Sequence, residues 1–556
     1  RLAAALRVFS LGIALLVRAQ TTTIRPNATL PGMTRWMALS ALLWVTVGCS
    51  ARNLAPPLAE SAPAIAPEPL PEHEAEPKTH RTVAAPPPIR ASNPVLWVSL
   101  ASHLGGLESS PPLKLQSAGP DPLVLRDAAG ADWSGSSFQL HWRRVPLDQP
   151  LTLARQVAGP FASFESAERA AQRWRAFGVP AEVAHPKEWE VWAPAGAPAP
   201  EALKTYGWSR QLNATLEPVL ETADGPVVLK GPLKLQAADG LRWKGGLFQG
   251  PFRLQRDAYE SWTLVEQVPV DRYLEGVVPH EIGAGSPTNA LQAQTVLART
   301  WALANSHRFR IDGYHLCSDT QCQVYSDPRQ AGSAVREAIA ATSGQLLSWE
   351  RQPISAVYHA SNGGVMAAGP EAWSMDSQPY LKAEADGDES WRRRHGLPLT
   401  ARDAVAALLA DGEGAYGRYH PRFRWSRSLR ADELRQALGE QGLALQAPLQ
   451  LAVLERGTSG RVLSLKVSGA EDAAPVVLRL DQIRRTLRTL PSTLFVIDSM
   501  GSQEWIVRGG GFGHGAGLSQ AGAIDLAGRG WSVERILGHY YPGAVYGPLP
   551  QSVESP

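Results

Sequence analysis

The sequence predicts an α+β protein, and three observations point there. From about residue 96, short alternating runs such as PLVLRDAAG and SFQLHWRR are broken by Gly and Pro, the texture of small β units. Further on, Ala290, Ala293, Leu297, Trp301 and Ala304 recur at helical spacing and predict a helix turned toward a core. At 556 residues the chain is also too long for one compact core, which implies about three folding units with linkers between them.

The first segment, residues 1–48, reads as an export signal behind an over-extended start. The run from Met33 carries a basic residue at Arg35, an apolar stretch from Met37 to Val47, then Gly48 and Cys49. That stretch is shorter than the roughly 20 residues of a transmembrane helix. With its small residue before Cys49 it resembles a bacterial lipoprotein signal, which implies lipidation of Cys49 and an exported protein anchored on the extracytoplasmic side of a membrane. Thr46 and Val47 depart from the commonest pattern, so general signal-peptidase cleavage or an uncleaved anchor stays open. The chain opens on Arg1, and a second apolar run from Leu11 to Val17 precedes Met33. Residues 1–32 are therefore expected to lie outside the working protein, the alternative being a first membrane segment interrupted by Arg7 and Arg18.

Residues 49–95 are rich in Pro and Ala with scattered acids, cannot build a core, and read as an extended spacer. Residues 96–210 follow as a β-rich region. LVLRDAAGADWSGSSFQLHW from Leu123 is echoed by LKLQAADGLRWKGGLFQGPFRL from Leu233, each a strand, a Gly-containing turn and a strand. Between them lie a strand, a helix around Phe164 to Phe177 with Ser163 at its N-cap, and further strands. This stretch resembles half of a SPOR domain, a module that binds glycan strands stripped of stem peptides, on Gly159, Phe161, Ala167 and Gly178. The alternative is an ordinary βαβ packing unit.

Lys and Arg number 54 against 52 Asp and Glu, so no global field would hold the chain on nucleic acid, and nucleic acid is not expected as a partner. The run Arg392–Arg394 reads as a solvated face.

Residues 211–550 carry the specific signals. In VPVDRYLEGVVPHEIGAGSPTNALQAQTVLARTWALANSHRF, Ser286 suits the N-cap and Pro287 the first turn of a helix, with Glu281 in a Gly-containing loop just before it. Further blocks follow in order: CQVY at Cys322–Tyr325, YHASNGG at Tyr358–Gly364, PYL at Pro379–Leu381, GGGFGHGAGLSQAGA at Gly509–Ala523, and HYYPGAVY at His539–Tyr546. With Tyr273, Leu274, Gly276–Val278, Pro279, Ala290–Gln294 and Ala298–Thr300, this series resembles the stage II sporulation protein D (SpoIID/LytB) family over roughly residues 255–546. The resemblance implies a SpoIID-like catalytic domain acting as a peptidoglycan lytic transglycosylase on stripped glycan strands, with Glu281 as single acid/base and no cofactor. Such a carboxyl, with a raised pKa, protonates the leaving glycosidic oxygen and then deprotonates the C6 hydroxyl of the muramic acid. The family usually has Met after this Glu, where Ile282 and Gly283 stand here. The LytB side of the name implies a rival role, a non-catalytic glycan-binding module that activates a cell-wall amidase.

The glycines of the Gly509–Ala523 block suit either a close approach of backbone to a ligand, with His514, Ser519 and Gln520 bonding sugar hydroxyls, or a tight buried crossing. His359, Ser361 and Asn362 face the same choice. A hydrolase reading of His359, Ser361 and Asp376 lacks a nucleophile elbow, and no Lys-Ser/Thr follows the glycines to make a phosphate loop. Some family members bind zinc near Cys317 and Cys322. Here Gln321 stands where a family histidine would lie, so a Cys317–Cys322 disulfide is expected rather than a metal site, with His315 or His307 as the substitute ligands to check.

Overall fold

The computed structural model describes residues 77–89, 94–470, 474–499 and 503–548. The signal segment, Cys49 and the linker up to residue 76 lie outside them. The regular elements of residues 95–269 are strands apart from the helix Phe164–Ala176, and helices gather from Val270 onward, which makes the protein α+β.

One sheet of seven strands runs in the order Leu316–Cys317, Val95–Leu104, Trp262–Pro269, Phe252–Arg256, Leu233–Ala237, Leu123–Arg126, Asp132–Gly135. Its period-two pattern is plain in Leu233–Ala237, where Leu233, Leu235 and Ala237 are buried while Lys234 and Gln236 are exposed. The two echoed segments meet here, Leu125 opposite Leu235 in antiparallel pairing.

The second sheet is built on a long antiparallel pair, Ser137–Phe161 against Thr205–Thr222, matched from Leu140 with Leu220 to Ala158 with Thr205. Thr205–Thr222 runs through residue 210, the expected domain boundary, and Val95–Leu104 pairs with Trp262–Pro269, so the two regions share their sheets. The helix Phe164–Ala176 begins where Ser163 Oγ accepts the Ser166 N–H, and buries Phe164, Ala167, Ala171 and Trp174 in one cluster with Trp189 and Val191.

The helix Thr288–Ala304 differs from its expected one-sided form. Gln294, Thr295, Arg299 and Thr300 are as buried as Leu291 and Leu297, so it runs through the middle of the core. Most of its polar groups find partners inside: Thr295 and Thr300 donate to carbonyls one turn back, and Arg299 donates to Thr342 O at 2.8 Å and to Asp271 at 3.1 Å, while Gln294 Nε2 and Arg299 Nε have no partner among the described residues. A separate cluster around Leu434, Leu465, Phe495 and Val507 packs two three-stranded sheets and carries the short helix Asp481–Thr486.

Candidate functional site

Glu281 stands on a widened helical turn, not in the plain loop expected. Tyr273, Leu274, Val277 and Val278 anchor the helix Val270–Val278 in the core, fully buried. Pro279 then has no N–H to continue the ladder, and the chain opens into a π turn, Pro279–Gly283, which ends at Gly283 with φ 86°. Ser286 does not cap the next helix. That helix starts at Thr288, with Pro287 at the cap position and no side-chain bond, while Ser286 Oγ turns back to donate to Ile282 O at 2.8 Å. The serine thus braces the turn that carries Glu281.

The Glu281 carboxyl lines a cleft of about 470 Å³. Burial pushes it up from the usual carboxylate range to about 7, while the Val324 N–H, the Tyr358 hydroxyl and the Gln520 side chain favour its ionised form and hold the rise in check. A relay sets the direction of the tyrosine proton. Tyr273 OH donates to Gln323 Oε1 at 3.1 Å, and Gln323 Nε2 donates to the Tyr358 oxygen at 3.0 Å. The Tyr358 oxygen is therefore an acceptor on that side, which leaves its own proton for Glu281.

Of the six residues expected to meet a ligand, Gln520 alone faces Glu281; its Nε2 also donates to Gln294 Oε1 at 3.2 Å. His514 lines the cleft, but both ring nitrogens are taken: Nε2 donates to Tyr358 O at 2.8 Å and Nδ1 accepts from Ala516 N at 3.2 Å. Burial drives its pKa down to about 3, so it presents a neutral ring face packed on Trp373. His359 donates from Nδ1 to Ala516 O, Ser361 Oγ accepts from Gly363 N, and Asn362 bridges Asp386 and Gly364 N. Ser519 caps the helix Gln520–Gly528 by accepting from Gly522 N. These four side chains serve the fold and do not line the cleft, a correction to the expected ligand contacts.

The glycines explain why. A Cβ on Gly517 would stand 2.1 Å from Val357 O, and one on Gly513 would stand 2.7 Å from the His359 Cβ. At these glycines the block packs directly against protein atoms, as a buried crossing does. The hydrolase grouping also dissolves, since Asp376 pairs with Arg169 on the surface.

Sequence reasoning missed the opposite wall. Phe164 and Glu165 from the β-rich region, Arg308, and Asp481, Arg484 and Arg485 of the short helix all line the cleft. Arg308 pairs with Glu165 and lies over Phe164 and Trp301, with its guanidinium carbon 4.4 and 4.8 Å from the ring centroids. Burial raises Asp481 to about 6. Tyr358 and Gln323 fall inside the YHASNGG and CQVY blocks, so the signal for them was present; the wall residues are brought in by tertiary contacts and have no local signature.

Cys317 and Cys322 are joined by a disulfide, with Cα atoms 5.7 Å apart, and Cys322 touches the cleft. His315 is spoken for, Nδ1 accepting from Trp97 N and Nε2 donating to Pro87 O. Gln321 Oε1 receives Trp189 Nε1 at 3.1 Å and Arg485 at 3.2 Å. Among the described residues no group of three or more His, Cys, Asp and Glu is placed to hold a metal ion. A larger hollow of about 770 Å³ lies along Gln450–Arg456, and neither Glu281 nor any residue of its relay is among those lining it.

Residues 258–349, which include Glu281, match the family described as stage II sporulation protein, and residues 367–517 match a domain of unknown function. The chain is 28% identical over 295 residues to the amidase enhancer of Bacillus subtilis (strain 168), covering 49% of this chain and 39% of that protein. It is 29% identical over 302 residues to the stage II sporulation protein D of Bacillus amyloliquefaciens, covering 50% of this chain and 74% of that protein. The match to the stage II sporulation protein D of Bacillus subtilis (strain 168) is 26% over 294 residues, with 50% and 74% coverage.

Proposed function

The chain carries a domain of the SpoIID/LytB family, and from that premise we propose that it cleaves peptidoglycan glycan strands as a lytic transglycosylase, with Glu281 as acid and base. The observation that carries this reading is the pairing of a cleft-lining carboxyl near pKa 7 with a tyrosine proton aimed at it. At neutral pH a large share of Glu281 is protonated. It gives that proton to the glycosidic oxygen as the bond to the anomeric carbon breaks. The resulting carboxylate, steadied by Tyr358 and Gln520, takes the proton of the C6 hydroxyl as that oxygen closes on the anomeric carbon. Glu281 ends as it began, and the product carries a 1,6-anhydro end, so a second carboxylate is not needed. Digestion of amidase-stripped peptidoglycan tests this by the appearance of such ends.

A second reading is favoured by the likeness to an amidase enhancer: the cleft binds glycan and the chain activates an amidase without cutting. It expects no anhydro ends, and amidase stimulation that ignores Glu281→Gln. For either role we propose export and membrane attachment through Cys49, tested by fatty-acid labelling that Cys49→Ala abolishes.

A further inference from the structure

We propose that Arg484 and Arg485 form a carboxylate-recognition subsite in the Glu281 cleft, selecting muramic acid residues whose lactyl group is a free carboxylate. The inference rests on the glycan-cleaving reading and adds how the cleft tells a stripped strand from a peptide-bearing one.

The charges of the cleft lead to it. Arg308 is committed: it pairs with Glu165, donates to Asn305 Oδ1 at 3.0 Å and stacks on two rings. Arg485 places one N–H on Gln321 Oε1 at 3.2 Å and makes no ion pair among the described residues. Arg484 lines the same cleft, is half-buried, and makes no ion pair among the described residues. Arg308 and Glu165 cancel, Asp481 on the same short helix offsets one guanidinium, and a protonated Glu281 adds nothing, so one positive charge is left over. Arg484, half-buried and without an ion-pair partner among the described residues, gains one when an anion binds beside it. Its planar fork suits a carboxylate.

In an intact strand the lactyl carbonyl is tied up as a neutral amide to the stem peptide. Hydrolysis of that amide, with water adding across the C–N bond, leaves a carboxylate on the sugar and a free amine on the peptide. The subsite therefore places an amide-hydrolysing step before this protein. Both arginines lie outside residues 258–349, so the selectivity would be supplied by the later part of the chain.

The test is equilibrium binding of the full chain to stripped glycan oligosaccharides with the lactyl group either free or converted to its methylamide. We expect the free form to bind about tenfold or more tighter. Arg485→Gln, at an exposed position that leaves the fold intact, and Arg484→Gln should each shrink that preference while leaving affinity for the methylamide unchanged. Equal binding of both forms by the unaltered chain overturns the proposal, as does a preference that survives the double substitution. Displacement of both sugars alike by inorganic phosphate also overturns it, in favour of a general anion site. Binding is scored apart from cleavage: a carboxylate preference without anhydro products keeps the subsite and sinks the transglycosylase reading, and anhydro products without the preference do the reverse.

Discussion

Gln323 donates its side-chain amide to the Tyr358 hydroxyl at 3.0 Å, and this bond decides which way the tyrosine proton points. Because Gln323 is itself oriented by Tyr273, a fully buried residue of the helix that leads into the Glu281 turn, the relay ties the cleft's acid to the core beneath it.

Tyr358→Phe removes a donor that favours ionised Glu281, so the glutamate rises further above its ordinary range. An acid that holds its proton longer keeps working at higher pH, and the alkaline limb of the rate profile should move up. Turnover should fall by roughly tenfold, because the carboxylate formed after proton transfer loses a charge-assisted hydrogen bond. A pH–rate series on stripped glycan checks both; an unmoved limb would remove Tyr358 from the account.

Glu281→Gln should stabilise the fold above neutrality. A carboxyl raised from 4.5 to about 7 leaves stability whole below pH 4.5 and costs progressively more as pH climbs to 7, because the folded state then resists losing a proton the unfolded state has given up. Replacing it removes that cost, on the order of 3 kcal/mol at pH 8 and little at pH 4. Thermal unfolding at the two pH values reads the difference.

Glu165→Gln should loosen the join between the β-rich region and the cleft. Arg308 is 5% exposed and would lose its ionic partner while keeping Asn305, so the fold should weaken by about 2 kcal/mol in urea unfolding. No loss would mean that the pair is screened.

Opening the Cys317–Cys322 bridge with reductant should lower stability by about 2 kcal/mol, the loop-closure value for so short a span. Thiol titration under denaturing conditions should find no free thiol at these positions before reduction. Two free thiols with stoichiometric zinc would contradict the disulfide.

Much of this was legible in the sequence where the signal is local. Ser163 capping the helix Phe164–Ala176, the alternation of Leu233–Ala237 and the ordered blocks around Glu281 all follow from neighbours in the chain. Ser286 misled because a serine before Pro-Thr looks like a cap, whereas the π turn at Pro279 claimed its hydroxyl. Ser519 and Asn362 misled because polar residues among glycines fit a ligand loop and a buried crossing equally well. What separates those is Val357 O and the His359 Cβ lying against Gly517 and Gly513, some 150 residues apart in sequence, where no local pattern reaches. Arg308 and Glu165, 143 residues apart, escaped for the same reason.

If Glu281 breaks and closes the bonds itself, its carboxyl is needed for every anhydro end. Mass spectrometry of the material released from amidase-stripped peptidoglycan by the full chain and by folded Glu281→Gln measures this most directly. Anhydro-muramyl ends are expected from the first and a loss of about 10² to 10⁴ in their rate from the second, with sacculus binding retained. Anhydro ends released equally by both proteins would contradict it.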